Sequence, residues 1–278
     1  MGFNVNLDGV KQDTPYGKFL RTFIYRAGDS GSYTPSSDAA KVRVAAIGGG
    51  GAAATSTYGG GGAGFFLKEL SSVAELAASY AYSVGAGASV TATDGVDTTF
   101  VQASVSVNCT AGGGDGAVDG SGGVGSGGDF NANGGNGHQG GTGGGGAAGS
   151  MWGDGGIGAA YSPTGGHGGS AGGVSGETGQ PYFGPGTVTD NPVLNGSLLD
   201  NWAYPAGKAG AHGTSSNGYN SNTCGRGCGS AVEGVPAGDF GGGSSGYSNA
   251  GKAGIGGGSG SRDTIMTGDG MLFIEEYA

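Results

Sequence analysis

Between Gly113 and Gly149 the glycines keep a three-residue register, and no other feature limits the fold of this chain so strongly. Every third residue from Gly113 is Gly116, Asp119, Gly122, Gly125, Gly128, Asn131, Gly134, Gly137, Gly140, Gly143, Gly146 and Gly149. Eleven of these thirteen positions are glycine. The register that starts at Gly112 holds glycine only three times in thirteen. A scatter set by composition alone, 73 glycines in 278 residues, would not separate the two registers in this way.

A period of three belongs to the polyproline II conformation, which rises about 3.1 Å per residue and makes no internal hydrogen bonds. Its N–H and C=O groups must find partners in neighbouring runs. A glycine face lets such runs come close, so the sequence predicts packed polyglycine II helices. The register of Asp115, Val118, Val124, Phe130, Asn136, Gln139 and Thr142 then faces outward. Collagen shares the period but relies on proline for preorganisation. Pro163 is the first proline after Pro35, which argues against it. Gly165 to Gly169, Gly207 to Gly213, Gly238 to Gly243 and the series Gly251, Gly254, Gly257, Gly260 repeat the glycine theme.

Glycine-rich chains are commonly disordered, because glycine has the most backbone entropy to lose and nothing to bury. Two observations oppose that reading. Phe130, Trp152, Tyr161, Phe183, Trp202 and Tyr219 lie inside the glycine-rich part, and charged residues make up only 12% of the chain. Disordered tracts are poor in aromatics and rich in charge.

Before the glycines, residues 19–25, 41–47, 80–84 and 105–109 are β-branched or aromatic and mostly alternate, the pattern of half-buried strands. Residues 28–35 and 85–95 read as turns. Residues 67–78 admit a helix, with Leu67, Leu70, Val73, Ala74 and Ala77 at helical spacing, or a pair of strands. Residues 271–277 form a last strand after the Gly268-Asp269-Gly270 turn, tied to the sheet built earlier. The expected fold class is mainly β with polyglycine II helices: a small β framework, closed by the C-terminal strand, carries a packed bundle with distal loops. By composition the chain divides into an attachment segment at 1–31, the β framework at 32–110, the glycine-rich bundle at 111–260 and the returning strand at 261–278.

Loops on a rigid scaffold are where recognition concentrates. Residues 175–205 and 214–236 carry proline, asparagine and aromatic residues between glycine pieces, and Tyr182, Phe183, Trp202, Tyr204 and Tyr219 are the candidate contact residues. Tyr and Trp give rigid contact area at low entropic cost. Those aromatics can equally plug the ends of the bundle. Cys224 and Cys228 flank Gly-Arg-Gly and can close a loop as a disulfide, while Cys109 continues a strand pattern as a buried thiol.

No catalytic constellation is apparent, so the chain is expected not to be an enzyme. His138, His167 and His212 sit among glycines with no orienting partner in sequence. Gly207-Lys208-Ala209 and Gly251-Lys252-Ala253 lack the hydroxyl of a phosphate-binding loop. Asp190, Asp200 and Glu233 match no calcium-loop spacing, and no metal or cofactor is expected. A net charge of −10 disfavours nucleic acid and anionic membrane as partners. The first ten residues carry Asp8 and no apolar run, so neither a secretory signal nor a membrane span is expected.

The ordered combination of Val42-Arg43-Val44 running into Ile47-Gly48-Gly49-Gly50-Gly51, Tyr82-Ser83-Val84-Gly85-Ala86-Gly87, Asp97-Thr98-Thr99-Phe100 and the closing Gly270-Met271-Leu272-Phe273-Ile274-Glu275-Glu276-Tyr277 resembles the glycine-rich distal adhesins and fibre-tip domains of tailed phages. The resemblance covers most of the chain from about Gly31 and is similar to the short adhesins at the long-fibre tips of some T-even-type phages. It implies a polyglycine II sandwich whose distal loops recognise a bacterial surface protein or glycan. It also implies virion fibre or tail proteins as partners, with synthesis in the host cytoplasm and work at the particle surface. Self-association into a homo-oligomer is compatible with it. The long N-terminal attachment domain of the T-even-type adhesins has no counterpart in this sequence. Two other classes use the same framework: a structural virion protein such as a capsid decoration or fibre spacer, and an ice-binding protein. The latter needs a flat regular face, whereas the outward register here is irregular.

Overall fold

The computed structural model describes residues 3–5, 13–14, 16–53, 58–116, 120–138, 143–151, 153–158, 169, 242, 253–260 and 267–278. Its strands are β1 (Phe3–Val5), β2 (Asp13–Thr14), β3 (Gly17–Arg26), β4 (Ser30–Tyr33), β5 (Lys41–Ile47), β6 (Phe65–Leu70), β7 (Tyr80–Ser83), β8 (Thr98–Gln102), β9 (Val107–Ala111), β10 (Gly125–Ser126), β11 (Phe130–Ala132) and β12 (Met271–Tyr277). One α-helical turn, α1 (Val73–Leu76), and one 3-10 turn, Ala103–Val105, complete the described elements.

The strands form two antiparallel sheets. The larger runs β1-β3-β12-β5-β6-β11, with β2 on β3, and the smaller runs β10-β9-β8-β7-β4. The last strand of the chain lies in the middle of the larger sheet, pairing with β3 on one side and β5 on the other. Strand alternation sorts its residues onto two faces. Leu272 and Ile274, with Val42, Val44, Ala46, Phe66 and Leu70, face the smaller sheet, where Tyr33, Tyr80, Phe100, Val107 and Cys109 meet them in one buried core. On the opposite face Phe273, Ala45, Ile47, Phe65 and Leu67 make a second core with Ala132 and Ala148 from the glycine-rich part.

Several sequence expectations need correction. Residues 28–35 are not a turn throughout, because Ser30–Tyr33 pairs with β7 as the edge strand of the smaller sheet. Residues 67–78 are neither one helix nor a strand pair. Phe65–Leu70 continues the sheet, and α1 follows, started by a capping box in which Ser72 and Glu75 satisfy each other's backbone N–H groups. The 105–109 pattern is shifted, with β9 beginning at Val107 after the 3-10 turn. The strand expected at 19–25 is longer, Gly17–Arg26, and pairs with β12. Residues 125–126 and 130–132 lie inside the segment read as 111–260, and they pair with β9 and β6.

The glycine-rich runs grow from one end of this sandwich. Residues 48–64 join β5 to β6, 84–97 join β7 to β8, and 112–124 join β9 to β10. Residues 133–149 follow β11, and 253–270 lead into β12. The run 59–64 displays the packing. Gly59 and Gly62 donate to His138 and Gly135, Gly60 and Ala63 to Ser259 and Gly256, and Gly61 and Gly64 to Asp115 and Gly112. Residues three apart therefore reach the same neighbour, each time antiparallel. The carbonyls of the run accept from Gly51 and Gly48, from Gly123, and from Gly146 and Gly149. Six runs thus surround one.

Spacing this close leaves no room for side chains. A Cβ on Gly60 would lie 2.0 Å from the carbonyl oxygen of Gly51, and one on Gly62 would lie 1.9 Å from that of Ala147. The register read from Gly113 is cut by reversals into short runs, 112–116, 120–124, 133–138 and 143–149. Of its outward partners, Val124, Phe130 and Asn136 are exposed and Asp115 is half-buried, while Val118, Gln139 and Thr142 lie outside the described residues.

Candidate functional site

The strands entering the bundle all do so at its sandwich end, so the far end is where the runs reverse. The chain leaves the described residues at Ala53, Gly116, His138, Gly158 and Gly260. Ala53, His138 and Gly158 of these are held by hydrogen bonds to neighbouring runs. Ala53 N–H donates to Ser259 Oγ at 2.8 Å and Ala53 O accepts from Ala92 N–H at 3.0 Å. Gly59 N–H reaches His138 O at 3.1 Å, and Gly158 N–H reaches Asn136 O at 2.9 Å. His138 also donates its own N–H to Gly144 O at 3.0 Å, so its described role is in the backbone network.

Residues 170–241 contain every sequence-predicted contact residue. Their two flanking glycines are joined: Gly242 N–H donates to Gly169 O at 3.0 Å, and Gly169 N–H donates to Gly145 O at 2.9 Å. Gly145 precedes Gly146, which donates to Gly60. Gly169 and Gly242, which bracket residues 170–241 in the sequence, therefore lie side by side on the bundle. Tyr182, Phe183, Trp202, Tyr204, Tyr219, Cys224 and Cys228 lie outside the described residues, as do Asp190, Asp200, Glu233, His167 and His212. Cys109 is buried on β9, its thiol pushed up to about 11 by burial, with Sγ 3.1 Å from Gly127 O. Among the described residues no group of three or more His, Cys, Asp or Glu is placed to hold a metal ion. Among them too, no helix is long and apolar enough to cross a membrane.

The junction between bundle and sandwich is fixed by buried polar groups. Thr98 Oγ1 donates to Ile47 O at 2.7 Å and accepts Gly85 N–H at 2.9 Å, linking β8, β5 and the 84–97 run. At the other end of the sandwich, Glu275 and Glu276 point to opposite faces of the larger sheet, and both are fully buried. Glu275 Oε2 accepts the Tyr277 hydroxyl at 2.6 Å and lies 4.0 Å from Arg43 Nη1, whose guanidinium stacks 4.0 Å from the Tyr16 ring centroid. Glu276 is held by Arg21, Tyr33 and Ser36. Burial pushes the Tyr33 hydroxyl well above its ordinary range, and the Glu276 carboxylate adds to the shift.

Sequence reasoning missed a set of side chains that hold the bundle surface. Asp94 and Asp97 accept from Gly116 and Gly113, while Asn136 and Asn133 accept from Gly122 and Gly125. The signal was available as Asp-x-x-Asp and Asn-x-x-Asn, the same period as the glycines they face. The chain matches no protein-family model and no curated protein sequence.

Proposed function

We propose that this chain is a virion fibre-tip receptor-binding protein, in which a bundle of polyglycine II helices on a β framework presents recognition loops to a bacterial surface protein or glycan. The observation that carries the reading is the closed base of residues 170–241, formed by Gly242 N–H on Gly169 O within the bundle. A long aromatic-bearing segment tied at both ends to a dense scaffold suits recognition, because the scaffold limits the entropy lost on binding. The polyglycine II assignment is supported by donors three residues apart reaching one neighbour, and by runs too close for any Cβ.

The test is location. Antibody-labelled electron microscopy of particles made by a host expressing this chain should place it at the distal tip of a fibre. Label spread over the capsid, or along a fibre shaft, would replace this reading with that of a structural virion protein.

A further inference from the structure

The outward N–H groups of the bundle raise a problem of their own. Inside, each donor of the run 59–64 meets the carbonyl of another run, but a run at the periphery has donors that face away from the bundle. An open row of such donors is the glycine-run equivalent of a sheet edge, a template for another chain. In the outer runs these donors are taken by side chains. Gly113 N–H meets Asp97 Oδ1 at 2.8 Å and Gly116 N–H meets Asp94 Oδ1 at 3.0 Å. Gly122 N–H meets Asn136 Oδ1 at 2.9 Å and Gly125 N–H meets Asn133 Oδ1 at 3.2 Å. The sequence numbers rise on one side as they fall on the other, so each pair reproduces the antiparallel i, i+3 pattern that a neighbouring run's carbonyls make in the interior.

We propose that these Asp-x-x-Asp and Asn-x-x-Asn pairs are lateral stops: their side-chain oxygens stand where the carbonyls of another glycine run would stand, and close this face to a second copy of the chain. Two observations point to blocking rather than to simple satisfaction of donors. Asp94, Asp97, Asn133 and Asn136 are all exposed, so they stand on the outer surface of the bundle where a further run would have to dock. The same device recurs at two separate places on the outer runs, each time with the spacing that the glycines impose. The inference rests on these hydrogen bonds and not on the receptor-binding reading.

The experiment compares three forms of the full chain by sedimentation velocity over a hundredfold concentration range: wild type, Asp94→Ala with Asp97→Ala, and Asp94→Asn with Asp97→Asn. The asparagine form keeps an acceptor oxygen at both positions. The expected result is a concentration-dependent rise in mass for the alanine form alone, with the other two superimposable. An alanine form that keeps its near-ultraviolet circular dichroism and sediments like wild type at every concentration overturns the proposal. If the alanine pair fails to fold, the single replacements Asp97→Ala and Asn136→Ala, each freeing one donor, carry the same comparison with the same two outcomes.

Discussion

Arg21 and Glu276 face each other directly across β3 and β12, and their side chains meet in a two-pronged ion pair, Nε to Oε2 at 2.8 Å and Nη2 to Oε1 at 3.1 Å. Tyr33 Oη, from the smaller sheet, donates to the same carboxylate at 2.8 Å, and Ser36 adds its backbone N–H and hydroxyl. The Glu276 carboxylate thus ties the closing strand to both sheets.

Burial alone would raise the Glu276 carboxyl, but the hydrogen bonds from Arg21, Ser36 and Tyr33 outweigh it and hold the group below its ordinary range. A group whose folded value is depressed contributes stability that is present above the unfolded value, about 4.3, and is lost as pH falls through the folded one. Glu276→Gln should therefore cost about 3 kcal/mol at pH 7, and the gap from wild type should narrow at pH 3. Denaturant titrations at the two pH values check this; an equal gap at both contradicts it.

Thr98 supplies a donor and an acceptor at the root of the bundle. Thr98→Val keeps the shape but strands the buried Gly85 N–H and one lone pair of Ile47 O, at a cost of about 2 kcal/mol. A lowered urea midpoint with an unchanged slope is the expected outcome. A loss within about 0.5 kcal/mol would mean that the junction is held by other contacts.

Close packing of the glycine runs predicts a sharp contrast between neighbouring positions. Gly62→Ala drives a methyl into the Ala147 carbonyl, so a loss of about 3 kcal/mol or more is expected. Ser121→Ala, at an exposed position that joins the network through its backbone, should change stability by no more than about 0.5 kcal/mol. Thermal unfolding of both variants tests the contrast.

Cys109 is expected to resist alkylation in the folded protein, since burial both hides the thiol and disfavours the thiolate that reacts. Peptide-resolved mass spectrometry after iodoacetamide treatment at pH 8 should find residue 109 modified only in denaturant.

The parts of the fold that the sequence made plain are those with a strong local period. Lys41–Ile47 opens with alternating Val42 and Val44, and Met271–Tyr277 is an apolar run after the Gly268-Asp269-Gly270 turn; both are strands at those bounds. Ser30–Tyr33 was hidden because Gly28, Gly31 and Pro35 signal a turn, while an edge strand exposing Ser30, Gly31 and Ser32 has little apolar alternation to display. The period-three glycines predicted lateral packing but not where the chain reverses, because Gly125, Gly128 and Gly134 keep the register across the Gly127 turn, β10 and β11, with only Asn131 interrupting it. The candidate contact residues were chosen by composition alone. The three-residue spacing of Asp94 with Asp97 and of Asn133 with Asn136 is visible locally, but which run each pair caps is a long-range fact.

Recognition through residues 170–241 is the central claim, and cell binding measures it most directly. Purified wild-type chain and a form with residues 175–205 replaced by a short Gly-Ser link would be titrated onto host bacteria, with near-ultraviolet circular dichroism confirming that both are folded. Saturable binding by the wild type and its loss in the replaced form are expected. Equal binding by the two folded proteins would contradict it.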